Sequence, residues 1–291
     1  MTPKGEGLPG LYGASQQLGD SALPLKPESA LDTKKTSPHL DALVDKLQQW
    51  TVLTADERNA VLALPCKIED ARAGKYVVRE GDRVSHCCLL VTGFAFRQKL
   101  VADGGRSISA IHMRGDMVDL QNSLLGVADH SVQTLTSCTL GFIPRDAIRE
   151  LAFALPNVGM AMWYDTLVDA SIFREWIANN ARRNAASRIA HLICEFGVRL
   201  EAAGLGQKVN YQLPMTQEQL ADCTGLTSVH VNRTLKALEA SGDITRTVRD
   251  VAIADWDKIK ATADFRSDYL HLRGSDSRPP PAGPASRLYT A

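Results

Sequence analysis

The hydrophobic pattern of this chain changes near Pro144, and the change limits the folds that it can adopt. Before that point, at 66–143, short β-branched or alternating segments are separated by glycine turns such as Gly81-Asp82. Short strands at this spacing predict a small barrel or roll. Beyond it, as far as about residue 262, apolar residues recur at helical spacing. We therefore expect an α+β protein with an N-terminal double-stranded, jelly-roll-like β-roll and a helical C-terminal part.

Composition narrows the class of protein. The 291 residues are enough for about two domains. Lys+Arg and Asp+Glu are both 33, and this balance excludes a polycationic nucleic-acid coat but not a local basic face. No apolar run approaches the roughly 18 residues that span a bilayer, and no apolar stretch follows the first charges. Six cysteines, with Cys87 and Cys88 adjacent, do not indicate a disulfide framework, so we expect a reduced, cytoplasmic protein.

A long helical pattern follows Pro156, which can occupy the first turn of a helix. One side of this helix is apolar at spacings of three and four, through Met160, Trp163, Leu167, Ala170, Phe173 or Arg174, and Ile177. Such a stripe packs either against the same helix of a second chain or against the chain's own roll. The sequence leaves both alternatives open.

Residues 213–253 carry the most informative local pattern. Thr216 and Gln219 form a capping box that opens a short helix, and Gly225 stands where that helix must end. Thr227 then caps a second helix that runs to about Ala240. This order is that of a helix-turn-helix, which presents its second helix to the major groove of DNA. The alternative is an ordinary helical hairpin with a small β-appendage.

The outward side of the second helix is mostly polar, and two short strands around Arg249-Asp250 predict a wing beside it. Cations on both elements suit DNA phosphates. The predicted DNA-binding residues are Ser228, Val229, His230, Asn232, Arg233, Lys236, Arg246 and Arg249.

A glycine-punctuated roll, a long helix and a winged helix-turn-helix, in this order, resemble the Crp/Fnr family of bacterial transcription regulators over roughly residues 41–262. "KYVVREGDRVSHCCLLVTGFAFR" is similar to the family's first roll strands, "RNAASRIAHLICEFGVRL" to its entry helix, and "TQEQLADCTGLTSVHVNRTLKAL" to its helix-turn-helix. The resemblance implies a homodimer, with the long helix as its seam, that reads a two-fold site in double-stranded DNA near promoters. It also implies RNA polymerase as a partner, and it places Arg233 at the position of the family's base-reading arginine.

The expected organisation then has five parts. They are a disordered N-terminal tail at 1–40, a cyclic-nucleotide-binding-like sensor roll at 41–143, a dimerisation helix region at 144–180, a winged helix-turn-helix domain at 181–262, and a C-terminal tail at 263–291. Three consecutive prolines, 279–281, support disorder in the C-terminal tail.

The roll departs from relatives that bind cyclic AMP. Those relatives carry a Gly-Glu-Leu motif and a later Arg-Ser pair, which hold the ribose and the cyclic phosphate. Here Leu120 stands at the glutamate position, and His130, followed by Ser131, stands at the arginine position. Leucine cannot accept a hydrogen bond from a hydroxyl, and a histidine has at most a partial charge near neutral pH. We expect no control by cyclic AMP, and a degenerate pocket at Leu120, His130 and Ser131 that takes an unknown effector or none.

No cofactor or metal is expected. Relatives that sense oxygen through an iron–sulfur cluster use N-terminal cysteines, and no cysteine precedes Cys66. Packing explains His86-Cys87-Cys88 better than haem ligation does, and it explains His191 with Cys194 better than a metal pair does. Cys223, beside the turn glycine, is a candidate redox thiol, with a buried packing role as the favoured alternative.

The second helix of the helix-turn-helix also departs from many relatives, which have a glutamate where Val229 stands. Valine can contact a thymine methyl, Asn232 can pair with adenine, and Arg233 can grip guanine, whereas His230 suits a phosphate. The sequence therefore predicts a half-site different from that of glutamate-bearing relatives.

The leading hypothesis is a dimeric regulator with an effector-blind or repurposed roll. A regulator gated by a small molecule or by redox state is the alternative. A distant third hypothesis is an enzyme with Cys87 or Cys88 as nucleophile, for which no supporting motif is present.

Overall fold

The computed structural model describes residues 37–272. The chain divides into two units, 1–34 and 35–291, and every described residue belongs to the second. The predicted tails at 1–40 and 263–291 therefore lie mostly outside the described residues. Within 37–272 no helix combines the length and the apolar composition needed to cross a bilayer.

The N-terminal half is a roll of two antiparallel sheets, as the strand pattern predicts. Its elements are α1 (Asp41–Gln48), α2 (Ala55–Leu62), β1 (Lys67–Ala71), β2 (Tyr76–Val78), β3 (His86–Thr92), β4 (Ala95–Leu100), β5 (Arg106–His112), α3 (Asn122–Leu125), β6 (Ser131–Thr134) and β7 (Cys138–Pro144). One sheet has the order β1-β7-β3 and the other β2-β6-β4-β5. Phe96, Ile108 and Ile143 are buried in the core that the sheets share with the helices.

The turn between β3 and β4 requires glycine. Gly93 has a φ of +87°, a conformation that side chains rarely adopt. A Cβ atom at this position would stand 2.4 Å from the carbonyl oxygen of Ser137 and 2.7 Å from Sγ of Cys138. Glycine therefore allows the turn to pass directly against the start of β7.

The C-terminal half is helical, with one small sheet. Its elements are α4 (Arg145–Ala154), α5 (Pro156–Arg182), α6 (Ala185–Ala202), β8 (Asn210–Gln212), α7 (Gln217–Thr224), α8 (Ser228–Ala240), β9 (Thr245–Arg246), β10 (Asp250–Ala252) and α9 (Trp256–Ala263). Pro156 opens α5, as predicted, and Asn184 caps α6 by accepting a hydrogen bond from the backbone N–H of Ser187 at 3.0 Å. The predicted wing strands are β9 and β10, and β8, which the sequence did not reveal, completes the sheet in the order β8-β10-β9.

Most of the apolar stripe of α5 is exposed. Met160, Trp163, Leu167 and Ile177 are between 52% and 69% exposed, whereas Ile172 on another side of the helix is buried. The interpretation that this stripe packs against the chain's own roll is therefore wrong for these four residues. Packing against a second chain stays a prediction.

The C-terminal tail begins later than the sequence predicts. After α9 the chain turns at Asp264, and Phe265 and Leu270 are buried in the core. The expectation of disorder is therefore wrong for 263–272, because these apolar side chains fill a gap beside α5 and α6 that no local pattern reveals. At the other end, Leu40 is also buried, although the predicted N-terminal tail included it. We refer to residues 264–272 as the C-terminal strap.

Candidate nucleic-acid interface

Local hydrogen bonds explain why residues 216–240 form two helices with a tight corner. The hydroxyl of Thr216 accepts from the Gln219 N–H at 3.2 Å, and the Gln219 side chain accepts from the Thr216 N–H at 2.8 Å. Gly225 ends α7 with a φ of +64°. Thr227 then caps α8 by accepting from the N–H of His230 at 3.2 Å. The capping box, the turn glycine and the second cap are confirmed, with α7 at the predicted residues.

Burial determines which side of α8 is free. Val231, Leu235 and Leu238 are buried, and α8 packs against α6 through this side. Val229 on the other side is 82% exposed. The polar side of α8 is therefore held outwards by a rigid hydrophobic contact.

Five of the eight predicted DNA-binding residues meet on one shallow surface of α8, which we call the recognition face. They are Ser228, Val229, Asn232, Arg233 and Lys236. Gln217, the first residue of α7, joins this face and was missed by the sequence analysis. Its position directly after the cap Thr216 is the signal that could have identified it, because the corner brings that helix end beside α8.

The other three predicted residues lie elsewhere. His230 is half-buried and does not line the recognition face. Arg246 in the wing is held by Glu239, with Nε 3.2 Å from the carboxylate. Arg249 is exposed at the turn of the wing, and its carbonyl accepts from the N–H of Leu213 at 2.9 Å.

Acidic residues of α7 are neutralised by the roll. Arg106 at the start of β5 places Nε 2.6 Å from the carboxylate of Asp222 and a terminal nitrogen 3.7 Å from that of Glu218. In contrast, Arg233 and Lys236 have no ion-pair partner within residues 37–272. The recognition face therefore carries two exposed cations, while nearby negative charge is screened.

The roll and α5 enclose a groove of about 860 Å³, which we call the sensor groove. His130 lines it, whereas Leu120 and Ser131 do not. Leu120 is buried in the core, and the hydroxyl of Ser131 accepts from the N–H of Glu80 at 3.0 Å. The structure therefore does not bring the three predicted pocket residues to one site.

The charged residues of the sensor groove have internal partners. Arg97 is buried, with one terminal nitrogen 2.8 Å from the carboxylate of Asp169 on α5 and the other donating to the carbonyl of Val118 at 2.9 Å. His130 Nδ1 lies 2.6 Å from the carboxylate of Asp129. Burial, and then the nearby Arg97 charge, lower the pKa of His130, which favours the neutral ring.

Four buried cysteines have surroundings that oppose ionisation of their thiols. Cys87, Cys88 and Cys223 are buried, and burial raises the pKa of each thiol well above its usual range. Burial also raises the pKa of Cys194 to about 12. No cluster of His, Cys, Asp or Glu in the described part of the chain could hold a metal ion. These environments oppose a reactive thiolate at any of the four positions.

Comparison with known proteins agrees with this architecture. The model of the cyclic nucleotide-binding domain matches residues 68–154, and that of the Crp-like helix-turn-helix domain matches residues 187–262. The transcriptional activator protein FnrL of Cereibacter sphaeroides is 28% identical over 201 residues, covering 68% of this chain and 80% of that protein. The nitrogen fixation regulation protein FixK of Rhizobium meliloti is 25% identical over 209 residues, covering 69% of this chain and 88% of that protein.

A solved structure has the same fold. FixK2 from Bradyrhizobium japonicum matches with a TM-score of 0.62 at 20% identity, over 68% of this chain and 98% of that chain. The roll, the long helix and the helix-turn-helix thus occur together and in the same order in known regulators. The chain therefore belongs to the Crp/Fnr family of transcription regulators, which act through a DNA-binding helix-turn-helix and are not enzymes.

Proposed function

We propose that this chain is a homodimeric transcription regulator that binds a two-fold DNA site without a cyclic nucleotide. The observation that carries the proposal is the recognition face, where Arg233 and Lys236 are exposed and have no ion-pair partner among residues 37–272. Because a DNA phosphate or a guanine edge supplies the missing acceptors, such a face suits the major groove.

The exposed stripe of α5 supports a dimer. A helix of 27 residues is about 40 Å long, and its four exposed apolar side chains leave a seam that water solvates poorly. Met160, Trp163 and Leu167 follow one another at spacings of three and four residues, as in a coiled-coil seam, and Ile177 lies ten residues further along. Two chains joined along α5 would present two copies of α8, which is the symmetry that a two-fold DNA site requires.

Each position of the recognition face suits a particular part of a half-site. Arg233 can donate two hydrogen bonds to a guanine, Asn232 can pair with an adenine, and Val229 can contact a thymine methyl. Ser228 and Lys236 suit the phosphates beside these bases. We assign His230, Arg246 and Arg249 to the rim of the interface, since none of them lines the recognition face.

Independence from cyclic AMP is supported by the sensor groove. Leu120 does not line the groove and has no acceptor for a ribose hydroxyl, and the neutral ring of His130 in the groove is a poor partner for a cyclic phosphate. Arg97, the buried cation of the groove, is already paired with Asp169. An anionic ligand would have to displace that carboxylate.

A regulator gated by another small molecule is the second candidate, because a groove of about 860 Å³ can accommodate one. Gating by redox state has less support, since Cys223 is buried. The relative FnrL is named a transcriptional activator, and we propose RNA polymerase as a partner of this chain on that likeness.

Selection of DNA from a random pool tests the proposal. The full-length protein is used without ligand, once under reducing and once under oxidising conditions. We expect the same two-fold site in both. Recovery in only one condition would support redox gating instead, and no enrichment in either would contradict ligand-free binding.

A further inference from the structure

The C-terminal strap lies beyond the helix-turn-helix match, which ends at residue 262. It is nevertheless packed, since Phe265 and Leu270 are buried in the core. The strap leads back from α9 to α5, where the ring of His271 meets that of Tyr164 edge-on at 6.1 Å. A segment that links the DNA-binding helices to α5 in this way can constrain how the two parts are oriented.

The first anchor of the strap lies at the α5–α6 junction. Arg183, directly after α5, donates to the carbonyl of Asp264 at 3.1 Å and to its carboxylate at 3.3 Å. The same guanidinium holds Glu175 of α5 at 2.7 Å. The start of the strap is thereby bound to the end of α5.

The second anchor is the hydroxyl of Tyr269. It donates to Oε2 of Glu195 on α6 at 2.8 Å, and the same oxygen accepts from Nε1 of Trp176 on α5 at 2.9 Å. Nε2 of His191 on α6 lies 3.0 Å from the Tyr269 oxygen, which suits a donor there. One carboxylate oxygen therefore joins the strap, α5 and α6, and its surroundings exclude water.

This buried network continues into the roll. Arg199 lies 3.4 Å from the second carboxylate oxygen of Glu195 and donates to the carbonyl of Ile111 at 2.8 Å. It also lies 3.4 Å from the carboxylate of Asp116. Tyr269 is thus the strap's link to a chain of charged groups that runs from the DNA-binding part to the roll.

The attachment of the strap affects the orientation of α8 relative to α5. The backbone passes from α5 to α6 once, at Arg183-Asn184, and the roll also holds α7 through the ion pairs of Arg106. The strap adds a further attachment, away from both of these, and so restricts rotation about the α5–α6 connection. In a dimer, the two copies of α8 must stand about 34 Å apart to match one turn of DNA.

We propose that Tyr269 is a positioning residue, which fixes the distance between the two recognition helices and thereby the spacing of half-sites that the protein accepts. This inference rests on the proposed dimer on a two-fold site. It separates two properties of the operator, because half-site sequence depends on the recognition face and half-site spacing depends on the strap.

Binding to a set of operators with one, two or no base pairs added between or removed from the selected half-sites tests the inference. The proteins are the full-length chain, Tyr269→Phe, which removes one hydroxyl, and Asp264→Asn, which weakens the first anchor at an exposed side chain. Tyr76→Phe is the matched control, since its hydroxyl accepts from Gln98 at 3.3 Å within the roll. Thermal melting of each variant verifies that it is folded.

We expect Tyr269→Phe to keep the half-site sequence and to lose discrimination against altered spacings by about fivefold or more, with a smaller loss for Asp264→Asn. Tyr76→Phe should keep the discrimination of the unaltered protein. Unchanged spacing discrimination in both strap variants would overturn the inference, as would an equal loss in Tyr76→Phe. Failure of the unaltered protein to select any two-fold site would instead contradict the proposed function, and the inference with it.

Discussion

The cations of the sensor groove have acidic partners, whereas those of the recognition face have none among the described residues. In the groove Arg97 is paired with Asp169, and Lys99 is paired with Glu80, each at 2.8 Å. On the recognition face, Arg233 and Lys236 have no acidic partner in the described part of the chain. A cation paired within the protein is not available to an external anion, whereas an exposed unpaired cation is free to bind one. The contrast indicates that the charges of the sensor groove are satisfied within the protein, whereas those of the recognition face are available to DNA.

The largest expected effect comes from breaking the pair in the sensor groove. Asp169→Asn should lower the free energy of unfolding by about 3 kcal/mol, because it leaves the buried Arg97 guanidinium without a counter-charge. Urea denaturation measures this change. The control is Asp146→Asn, which breaks an exposed ion pair with Arg149 and should cost less than about 0.5 kcal/mol. Equal losses in the two variants would contradict a structural role for the groove pair.

Arg233→Ala tests whether the recognition face reads the base sequence. It should cost about 1–3 kcal/mol of binding at one base pair of each half-site and leave stability unchanged. Competition binding with operators that carry single base substitutions measures both the size and the position of the loss. Equal loss across unrelated sequences would count against a base-reading role.

Lys236→Ala should weaken DNA binding only by removing a contact with a DNA phosphate. We expect a uniform loss of less than about 1 kcal/mol at moderate salt, and a slope of log affinity against log salt that is shallower by about 1 for each half-site. Titrations at several salt concentrations measure the slope. A loss confined to one base position would mean that Lys236 reads sequence.

The pH dependence of stability tests whether His130 is neutral in the sensor groove. Its pKa is lowered by burial, so the unfolded chain binds a proton more readily than the folded chain as the pH falls below about 6.5. The contribution of neutral His130 to the free energy of unfolding is therefore complete above that pH and is lost under acid conditions. Asp119 changes the pH dependence of stability in the opposite direction, because burial raises its pKa to about 6 and the folded chain then binds a proton more readily than the unfolded chain.

Comparison of the unaltered protein with His130→Gln isolates the histidine from Asp119. Between pH 7 and pH 5 we expect the melting temperature of the unaltered protein to fall relative to that of the variant. A constant difference between the two melting temperatures over this interval would show that His130 does not titrate in a buried environment.

The smallest effect is expected from cyclic AMP. Its addition should change neither the melting temperature nor the affinity for the operator, because a ligand that does not bind the folded state cannot stabilise it. A concentration-dependent rise in melting temperature would contradict the proposal that the protein does not bind cyclic AMP.

The helix-turn-helix could be predicted from the sequence because its signals are local. Thr216, Gln219, Gly225 and Thr227 act within a few residues of their own positions, and the structure has each cap where the sequence places it. The roll could be predicted as a fold class for the same reason, from its short strands and glycine turns. The strand β8 was missed because its partner β10 lies far along the chain, so no hairpin turn indicates the pairing.

Long-range partners could not be predicted. Nothing near Arg246 in the sequence indicates that Glu239 holds it, and nothing near Arg97 indicates Asp169. The C-terminal strap was expected to be disordered because the partner of Tyr269 on α6 lies far away along the chain. These interactions depend on how the helices pack, which periodicity and composition do not determine.

Native mass spectrometry of the ligand-free protein with its selected operator tests whether the chain binds DNA as a dimer. We expect two chains on each duplex, and loss of this complex when one half-site is scrambled. A single chain on each duplex, with affinity unaffected by scrambling of the second half-site, would contradict it.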